Sequence, residues 1–295
     1  MLRFLLVLYL GVLSLDLIAQ ALPPGRFSGF RVANDVLYLP VKTDQYFTAG
    51  IDIYGGKRWT IGRDSLRESR WRVRQNIYTP KNIEASGMML DDRPYASYLT
   101  VARHWSGLDR TTGWGWLHGF EVGILGRGSY GGRVQDMVHK AVDFAEPLPG
   151  WTHEVRGEPI LQYTAGLART QVLGDRGRAV VGGRLTAGTL RINARGRAGL
   201  DYDLARWGTY GRLTLSGEVI GSIVDHDATL TGGFLRPDER YRSAVLPETF
   251  VLSWSPSGEL RTRFGALSGG IVYLSPEFRG GERHVYGWVG AEVTW

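Results

Sequence analysis

Residues 43–54 of the chain read Thr-Asp-Gln-Tyr-Phe-Thr-Ala-Gly-Ile-Asp-Ile-Tyr. With a period of two, this stretch separates an apolar face from a polar face: Phe47, Ala49, Ile51 and Ile53 against Asp44, Tyr46, Thr48, Gly50 and Asp52. A soluble sandwich would bury the apolar face, whereas a membrane barrel turns it to lipid and points the carboxylates into a polar lumen. The remainder of the chain decides between these two folds.

The same alternation recurs along the chain in segments of ~10 residues, which is the sequence signature of a transmembrane β-barrel. Examples are residues 120–124, 212–223 and 250–254. Clusters of glycine, proline and serine predict turns at 174–177 and 255–258. In the last segment one face is apolar and the chain ends on an aromatic residue: Val285, Gly287, Val289, Ala291, Val293 and Trp295. We therefore predict an all-β protein that forms an antiparallel transmembrane β-barrel. The alternative is a soluble β-sheet protein in which this segment is an ordinary last strand.

The first 21 residues are typical of an export signal. Arg3 gives a positive start, residues 4–18 form a mostly apolar core, and Ala19-Gln20-Ala21 is a small-residue cleavage site. A membrane anchor is the alternative, but the apolar run is short for one. No later stretch approaches the ~20 apolar residues of a transmembrane helix. We predict a signal peptide at 1–21 and one barrel domain at 22–295.

The composition agrees with an exported barrel. The chain has no cysteine, so its stability does not come from disulfides, and a closed barrel with every strand paired is one other source. Its 41 glycines suit a curved sheet, and its 10 tryptophans and 14 tyrosines suit two interfacial girdles. The formal charge is +6 and arginine dominates the basic residues. For an exported chain this favours a phosphorylated lipid surface over nucleic acid.

One segment breaks the strand pattern. Between residues 133 and 146 apolar residues recur at helical spacing, while Gln135 and His139 lie four apart on another stripe. Pro147 then ends the predicted helix. A short helix in a barrel protein must lie in a loop or at the rim. A neutral imidazole that faces a polar wall can take a proton from water, so His139 is a candidate general base, although a lone histidine is usually structural.

Asn34 and Asp35 follow one another where the first strand is expected. In a regular strand one of these side chains would face lipid, so a bulge or a position above the lipid band is needed. The plain interpretation is a turn-forming pair at a strand end. The functional interpretation is a site for a hard cation, because carboxylate and amide oxygens are ligands that calcium takes.

Several motifs occur in order along the chain and together resemble the lipid A 3′-O-deacylase family of outer-membrane barrels, the LpxR-like proteins. They are Ala33-Asn34-Asp35, Tyr46-Phe47-Thr48-Ala49-Gly50, Asn76-Ile77-Tyr78-Thr79-Pro80, Asp92-Arg93-Pro94-Tyr95-Ala96, Val134-Gln135 with His139, Gly150-Trp151 and Ser275-Pro276-Glu277-Phe278-Arg279. Any one motif is weak, but the ordered set covers nearly the whole chain after the signal peptide.

This resemblance implies a barrel of about 12 strands in the bacterial outer membrane, a monomer, with its active site near the outer leaflet between the wall and a loop helix. It implies calcium-dependent hydrolysis of ester-linked acyl chains at the 3′ position of lipid A, the lipid anchor of lipopolysaccharide. By the same resemblance His139 is the general base and Gln135 its neighbour on the helix. Asn34 and Asp35 are the metal site, with Asp35 the principal ligand, and Thr48 is an active-site hydroxyl.

The resemblance leaves two positions open. For the family's active-site lysine, Lys81 is the nearest candidate and Arg93 the alternative, and this cation would bind a lipid A phosphate or assist the oxyanion. For an acidic residue after the histidine, Asp143 and Glu146 are both near. Two other functions also stay possible at this point: a non-enzymatic barrel such as a pore, and an outer-membrane phospholipase of similar mechanism.

Overall fold

The protein is a closed antiparallel barrel of twelve strands, in a computed structural model that describes residues 23–38, 45–141 and 148–295. Its strands are β1 (Gly25–Asn34), β2 (Tyr46–Ile61), β3 (Ser65–Thr79), β4 (Ala96–Asp109), β5 (Trp114–Leu125), β6 (Glu158–Leu173), β7 (Gly177–Gly188), β8 (Arg191–Trp207), β9 (Gly211–Asp227), β10 (Phe250–Thr262), β11 (Gly265–Leu274) and β12 (His284–Thr294). β1 pairs with β12, with Phe27 opposite Thr294, so the sheet has no free edge. The predicted fold is confirmed, and the predicted signal peptide lies outside the described residues.

Within the described residues three short α-helices lie in the loops: α1 (Gly131–Ala141), α2 (Ala228–Thr231) and α3 (Glu239–Arg242). None of the helices within the described ranges is both long and apolar enough to cross a membrane. α1 corresponds to the helix expected at 133–146 and begins two residues earlier. Residues 142–147, with Asp143 and Glu146, lie outside the described ranges.

The alternation of the strands separates an outer apolar surface from the lumen. In β9 the side chains of Leu215, Val219 and Ile223 are exposed, whereas Thr214 and Ser222 are buried. The last strand follows the same rule, since Val289, Val293 and the terminal Trp295 are exposed. Because the exposed positions are apolar and the lumen positions polar, this surface matches a lipid-facing barrel wall.

The connections distinguish the two ends of the barrel. At one end five pairs of strands are joined by turns of two to four residues, and the chain terminus Trp295 hydrogen-bonds the backbone of Arg26. At the other end β5–β6 and β9–β10 are joined by long loops that carry the helices. Short turns are periplasmic and long loops extracellular in outer-membrane barrels. All candidate site residues lie at the extracellular end.

Buried ion pairs fill the periplasmic end of the lumen. Arg58 donates to Glu292 through both Nη atoms at 2.9 Å and to Glu68 through Nε at 2.7 Å. Arg261 joins the same Glu292 at 3.3 Å and also bonds Glu259. Removing one member would leave a buried charge unpaired, so the network holds several strands together across the lumen.

Aromatic side chains and a buried arginine fill the extracellular end of the lumen. Phe47 packs against Tyr78 and Tyr286, with ring centroids 5.6 and 4.4 Å apart. Arg93 is fully buried; it lies 4.2 Å over the ring of Tyr78 and donates to Glu277 at 2.6 Å. Both ends of the lumen are therefore occupied by protein side chains.

The prediction for the side of the wall that Phe47 faces is wrong. We predicted it beside Ile51 on the lipid face, but the ring lies inside the barrel. The pairing of β2 with β3 shifts between Phe47 and Ala49, so Thr48 is an extra residue in a β-bulge. A bulge reverses the alternation on one side of it, which a pattern of strict period two cannot show.

The turn expected at 255–258 is also wrong, because these residues lie within β10, where Pro256 pairs with Gly217 of β9. Proline cannot donate a backbone hydrogen bond. The hydroxyl of Ser255 donates instead to the carbonyl of Ile271 in β11, at 2.7 Å. This side-chain bond lets a proline stand inside a closed sheet. The turn expected at 174–177 is confirmed between β6 and β7.

Candidate active site

Helix α1 packs on the outer face of the wall, against β3 and β4. A Cβ on Gly131 would lie 2.2 Å from Cβ of Ser97 and 3.5 Å from Cγ1 of Ile77. Ile77 and Ser97 both point to the outside of the barrel. Val73, on the same face of β3 as Ile77, and Val101, on the same face of β4 as Ser97, are exposed. Glycine at position 131 therefore lets the helix begin in direct contact with the wall.

His139 and Gln135 face the wall from α1. They follow Gly131 at intervals of four, so the three residues form one stripe of the helix. His139 is 7% exposed and Gln135 is 4% exposed, whereas Met137 on the opposite side is 65% exposed. The structure thus buries both candidate catalytic residues between the helix and the outer face of the barrel.

A tryptophan in the loop before β6 fixes the position of Gln135. The indole Nε1 of Trp151 donates to Oε1 of Gln135 at 2.9 Å. The Trp151 ring packs on Tyr95, with centroids 4.9 Å apart, and a Cβ on Gly132 would meet it at 2.8 Å. The sequence motif Gly150-Trp151 is therefore a structural support of the helix.

Asn34 and Asp35 lie where β1 ends, so the plain interpretation of this pair as a turn at a strand end holds. Asn34 caps a 3₁₀ turn at Asp35–Leu37, and its Oδ1 accepts from the backbone N–H of Val36 at 2.8 Å. Asp35 is 1% exposed, and its Oδ2 accepts from the backbone N–H of Gln45 at 3.0 Å. A carboxylate is thus held within the wall beside the start of β2.

Thr48 presents its hydroxyl at the same end of the wall. Its Oγ1 lies 2.6 Å from Oγ1 of Thr79, and both side chains are buried. Thr79 lies two residues after Ile77 in β3, so both side chains point to the outside of the barrel. Helix α1 covers Ile77. The bulge therefore turns Thr48 toward the side of the wall where the helix lies, rather than into the lumen where we had placed it.

The two candidates for the basic position lie in different surroundings. The Nζ of Lys81 bonds Oε1 of Glu282 at 2.5 Å, and both side chains are about half exposed. Lys81 follows Thr79 by two residues at the extracellular rim. Arg93 lies inside the barrel with its guanidinium engaged by Glu277 and Thr229. Lys81 is therefore the candidate that a lipid on the outer face can reach.

The oxygen atoms at the end of β1 suit a hard cation. No group of three His, Cys, Asp or Glu side chains that could hold a metal occurs within residues 23–38, 45–141 and 148–295. Calcium is also held by carbonyl groups and water, so one carboxylate can suffice for the side-chain charge. Asp35 supplies that carboxylate, and the amide oxygen of Asn34 has a second lone pair beyond its turn hydrogen bond. This donor set fits calcium better than zinc, which prefers nitrogen and sulfur.

One acidic residue beneath α1 has no signal in the sequence. Glu154 accepts a hydrogen bond from Oγ of Ser97 at 2.5 Å, and Ser97 also bonds Oγ of Ser129 at 2.6 Å. Burial raises the pKa of Glu154 to about 7, although Ser97 and the charge of Arg127 act in the opposite direction. Because Ser97 touches Gly131, this pair supports the beginning of the helix. A loop glutamate without a periodic pattern cannot be recognised as such in advance.

A family model described as the outer membrane protein LpxR matches residues 4–295. The chain belongs to the LpxR family. This confirms the resemblance that the ordered motifs indicated, and it agrees with the barrel in assigning the protein to the outer membrane. No curated protein matches the chain.

Among solved structures, LpxR from Salmonella typhimurium has a TM-score of 0.76 at 17% identity, over 91% of this chain and 100% of that chain. An outer-membrane channel from Pseudomonas putida F1 has a TM-score of 0.52 at 10% identity, over 93% and 97% of the two chains. The β domain of the Bordetella autotransporter BrkA has a TM-score of 0.51 at 8% identity, over 92% and 99%. At these identities the likeness concerns the fold, and here the LpxR barrel matches better than the other two.

Proposed function

We propose that this LpxR-family protein is an outer-membrane lipid A deacylase that hydrolyses the ester-linked acyl chains at the 3′ position. One observation carries the proposal: the stripe with Gln135 and His139 is buried against the outer, lipid-facing side of the wall at the extracellular end. A lipid of the outer leaflet can bring an ester to such a site without leaving the membrane. The family membership supports the same substrate.

In the proposed mechanism His139 is the general base. Its imidazole takes a proton from a water molecule as the water oxygen attacks the ester carbonyl. When the tetrahedral intermediate collapses, the ester C–O bond breaks and the imidazolium returns the proton to the leaving alkoxide. The products are a fatty acid and a hydroxyl group on the sugar. Gln135 keeps the helix in register through its bond to Trp151, and Thr48 adds a hydroxyl to the polar edge of the site.

Asp35, with Asn34 beside it, would hold the calcium ion. When bound, calcium supplies positive charge for the ester carbonyl oxygen, which becomes more negative in the transition state. The chain itself contributes the preorganisation: Asn34 closes the 3₁₀ turn, and the backbone of Gln45 orients the Asp35 carboxylate. Burial of this carboxylate strengthens its attraction for a divalent cation.

Lys81 is the residue that we propose for a lipid A phosphate. Its pair with Glu282 is an exposed ion pair, and such pairs contribute little to stability. A phosphate can therefore take the place of the Glu282 carboxylate at low cost. Arg93 would have to give up a buried ion pair with Glu277 to do the same, so we leave it out of the proposed site.

The side chains that occupy both ends of the lumen favour an enzyme over a pore. Ion pairs around Arg58 occupy the periplasmic end, and the aromatic layer with Arg93 occupies the extracellular end. A channel does not need a helix that buries a histidine on its outer wall. A phospholipase needs the same polar groups as a lipid A deacylase. Experiment must therefore decide whether the substrate is lipid A or a phospholipid.

Mass spectrometry of lipid A from isogenic cells with and without the protein tests the proposal. Wild-type protein should remove the mass of the 3′-linked acyl chains, and the His139→Asn variant should leave lipid A intact. Quantification of lysophospholipids in the same extracts tests the phospholipase. Unchanged lipid A in cells with folded wild-type protein in the outer membrane would overturn the proposed activity.

A further inference from the structure

The loop between β9 and β10 has a short exposed tip at the extracellular end of the barrel, residues 234–236. Phe234 and Leu235 are 56% and 57% exposed, and the next residue, Arg236, is also exposed. A bridge between Gly232 and Pro237 closes the loop around these three residues, which we call the loop tip. Two large apolar side chains and a cation are thus presented together on a tight loop.

A buried carboxylate at the start of β6 fixes the loop tip. Glu158 is 2% exposed, and its two oxygens accept the backbone N–H groups of all three tip residues, at 2.9, 2.8 and 2.9 Å. A Cβ on Gly233 would overlap this carboxyl group, so only glycine fits directly before the tip. Hydrogen bonds from N–H groups to an ionised carboxylate are stronger than bonds between neutral groups. The loop tip is therefore held in one conformation.

The ring of Phe234 lies on the outer side of the barrel. It packs edge-on against His226, with ring centroids 5.6 Å apart. His226 pairs with Ile192 in the register of β8 and β9. Ile192 points outward, because its neighbours Arg191 and Asn193 both line the cavity of the lumen. Directly paired residues share a face of the sheet, so His226 and the ring beside it lie outside the wall.

The lipid-facing wall lies close to this ring. The carbonyl of Thr189 bonds Nε2 of His226 at 3.1 Å, and the Thr189 hydroxyl accepts from the backbone N–H of Leu161 at 3.1 Å. Leu161 of β6 and Leu185 of β7 are 58% and 65% exposed on the outer face. The exposed apolar surface of the wall therefore continues into the loop tip at the extracellular rim.

We propose that the loop tip inserts Phe234 and Leu235 into the outer leaflet of the membrane, at the boundary between the headgroups and the acyl chains. Aromatic and aliphatic side chains are buried at this boundary in proteins that contact membranes. The guanidinium of Arg236 matches the phosphate groups of the leaflet. A lipid leaflet fits the tip better than a soluble protein, because the apolar pair continues the lipid-facing wall.

The loop tip and helix α1 lie on different sides of the barrel. α1 packs against β3 and β4, whereas the tip lies beside β8 and β9, five strands further around the sheet. A lipid contact at the tip therefore anchors a part of the rim that α1 does not cover. It is distinct from the proposed lipid A site.

Site-directed fluorescence in lipid vesicles tests the proposal. The chain contains no cysteine, so Leu235→Cys introduces a single site for a thiol-reactive fluorophore. The labelled barrel is reconstituted in vesicles of phosphatidylcholine and phosphatidylglycerol, with or without a nitroxide near the carboxyl end of one acyl chain. The nitroxide lipid should lower the fluorescence of the label at least about twofold, because an inserted tip lies in the shallow acyl region. Iodide in the water should have little effect.

Three further variants complete the experiment. Leu185→Cys, on the lipid-facing wall, should respond to the nitroxide lipid and not to iodide. Ser243→Cys, at an exposed polar position of the same loop, should respond to iodide and not to the nitroxide lipid. Phe234→Ser should reduce the lipid quenching of the label at 235 about twofold, because it removes one inserted side chain.

Two results would overturn the proposal. One is a label at 235 that responds to iodide as the label at 243 does, since the tip would then lie in water. The other is lipid quenching at 235 that Phe234→Ser leaves unchanged, since the fluorophore itself would then insert.

Discussion

The indole of Trp151 holds the side chain of Gln135 by a hydrogen bond of 2.9 Å from Nε1 to Oε1. Gln135 lies one helical turn before His139 on the same stripe of α1. The bond therefore joins the loop before β6 to the helix face that carries the proposed base. It sets the helix at a fixed rotation, and the position of the imidazole depends on that rotation.

We expect Trp151→Phe to lower turnover about fivefold, because an aromatic ring is kept and one positioning hydrogen bond of about 1 kcal/mol is lost. Turnover should be measured on purified lipid A by release of fatty acid. A double-mutant cycle with Gln135→Leu separates positioning from general damage, since two residues in one contact give non-additive effects. Trp114→Phe, at an exposed site of the periplasmic end, should leave turnover unchanged. Additive effects of the two substitutions would show that the bond has no such role.

His139→Asn should lower turnover by at least ~100-fold, which is the usual loss when a positioned general base is removed. Asparagine keeps a polar side chain of similar size, so the helix should still pack on the wall. The folded state can be verified by the faster gel mobility of the unheated barrel. His226→Asn is the control, because His226 bonds the carbonyl of Thr189 in another loop region. Wild-type turnover in His139→Asn would remove the basis of the proposed mechanism.

Asp35→Asn should weaken calcium binding by more than about tenfold, because it replaces a charged ligand with a neutral one. Isothermal titration of the detergent-solubilised protein measures this directly and does not require turnover. Magnesium should bind more weakly than calcium, since it demands tight octahedral geometry and sheds water reluctantly. Asp175→Asn, in the turn between β6 and β7, is the matched control. Equal calcium affinity in the wild type and in Asp35→Asn would exclude Asp35 as a ligand.

The barrel and the helix were predictable because each has a strong period. Residues 212–223 alternate over a full strand, and the stripe with Gln135 and His139 repeats at four, so each pattern points to one type of element. The motif order then identified the family, which the match over residues 4–295 confirms. These features depend on local residue order, which the sequence states directly.

The remaining features depend on contacts between distant residues. The bulge at Thr48 is set by its pairing with Thr79, and the proline in β10 is tolerated because Ser255 reaches Ile271 on the next strand. Arg93 looked like a lipid-binding residue, but Glu277, 184 positions away, holds it inside the barrel. No pattern within one strand reports such partners.

The last prediction concerns Glu154 and the pH dependence of the helix. Its pKa is about 7 in the folded protein against a usual value of 4.5, because burial disfavours the charged carboxylate. Between these two values the folded state binds more protons than the unfolded state, so stability falls as the pH rises from about 4.5 to 7 and then stays level. The full effect is about 3 kcal/mol at most, from a shift of roughly 2.5 pH units. This loss of stability should be greatest at the start of α1, where Glu154 bonds Ser97 and Ser97 contacts the helix.

Hydrogen exchange of the α1 backbone, corrected for the intrinsic pH dependence, measures this effect between pH 5 and 8. In the wild type the free energy of local opening should decrease as Glu154 ionises. Glu154→Gln, which is never charged, should show a constant value over the same range. Glu239→Gln, in an exposed ion pair with Arg242, is the control and should retain the wild-type slope. A flat profile in the wild type would show that ionisation of Glu154 does not loosen the helix, and the Ser97–Glu154 hydrogen bond would then not govern its position.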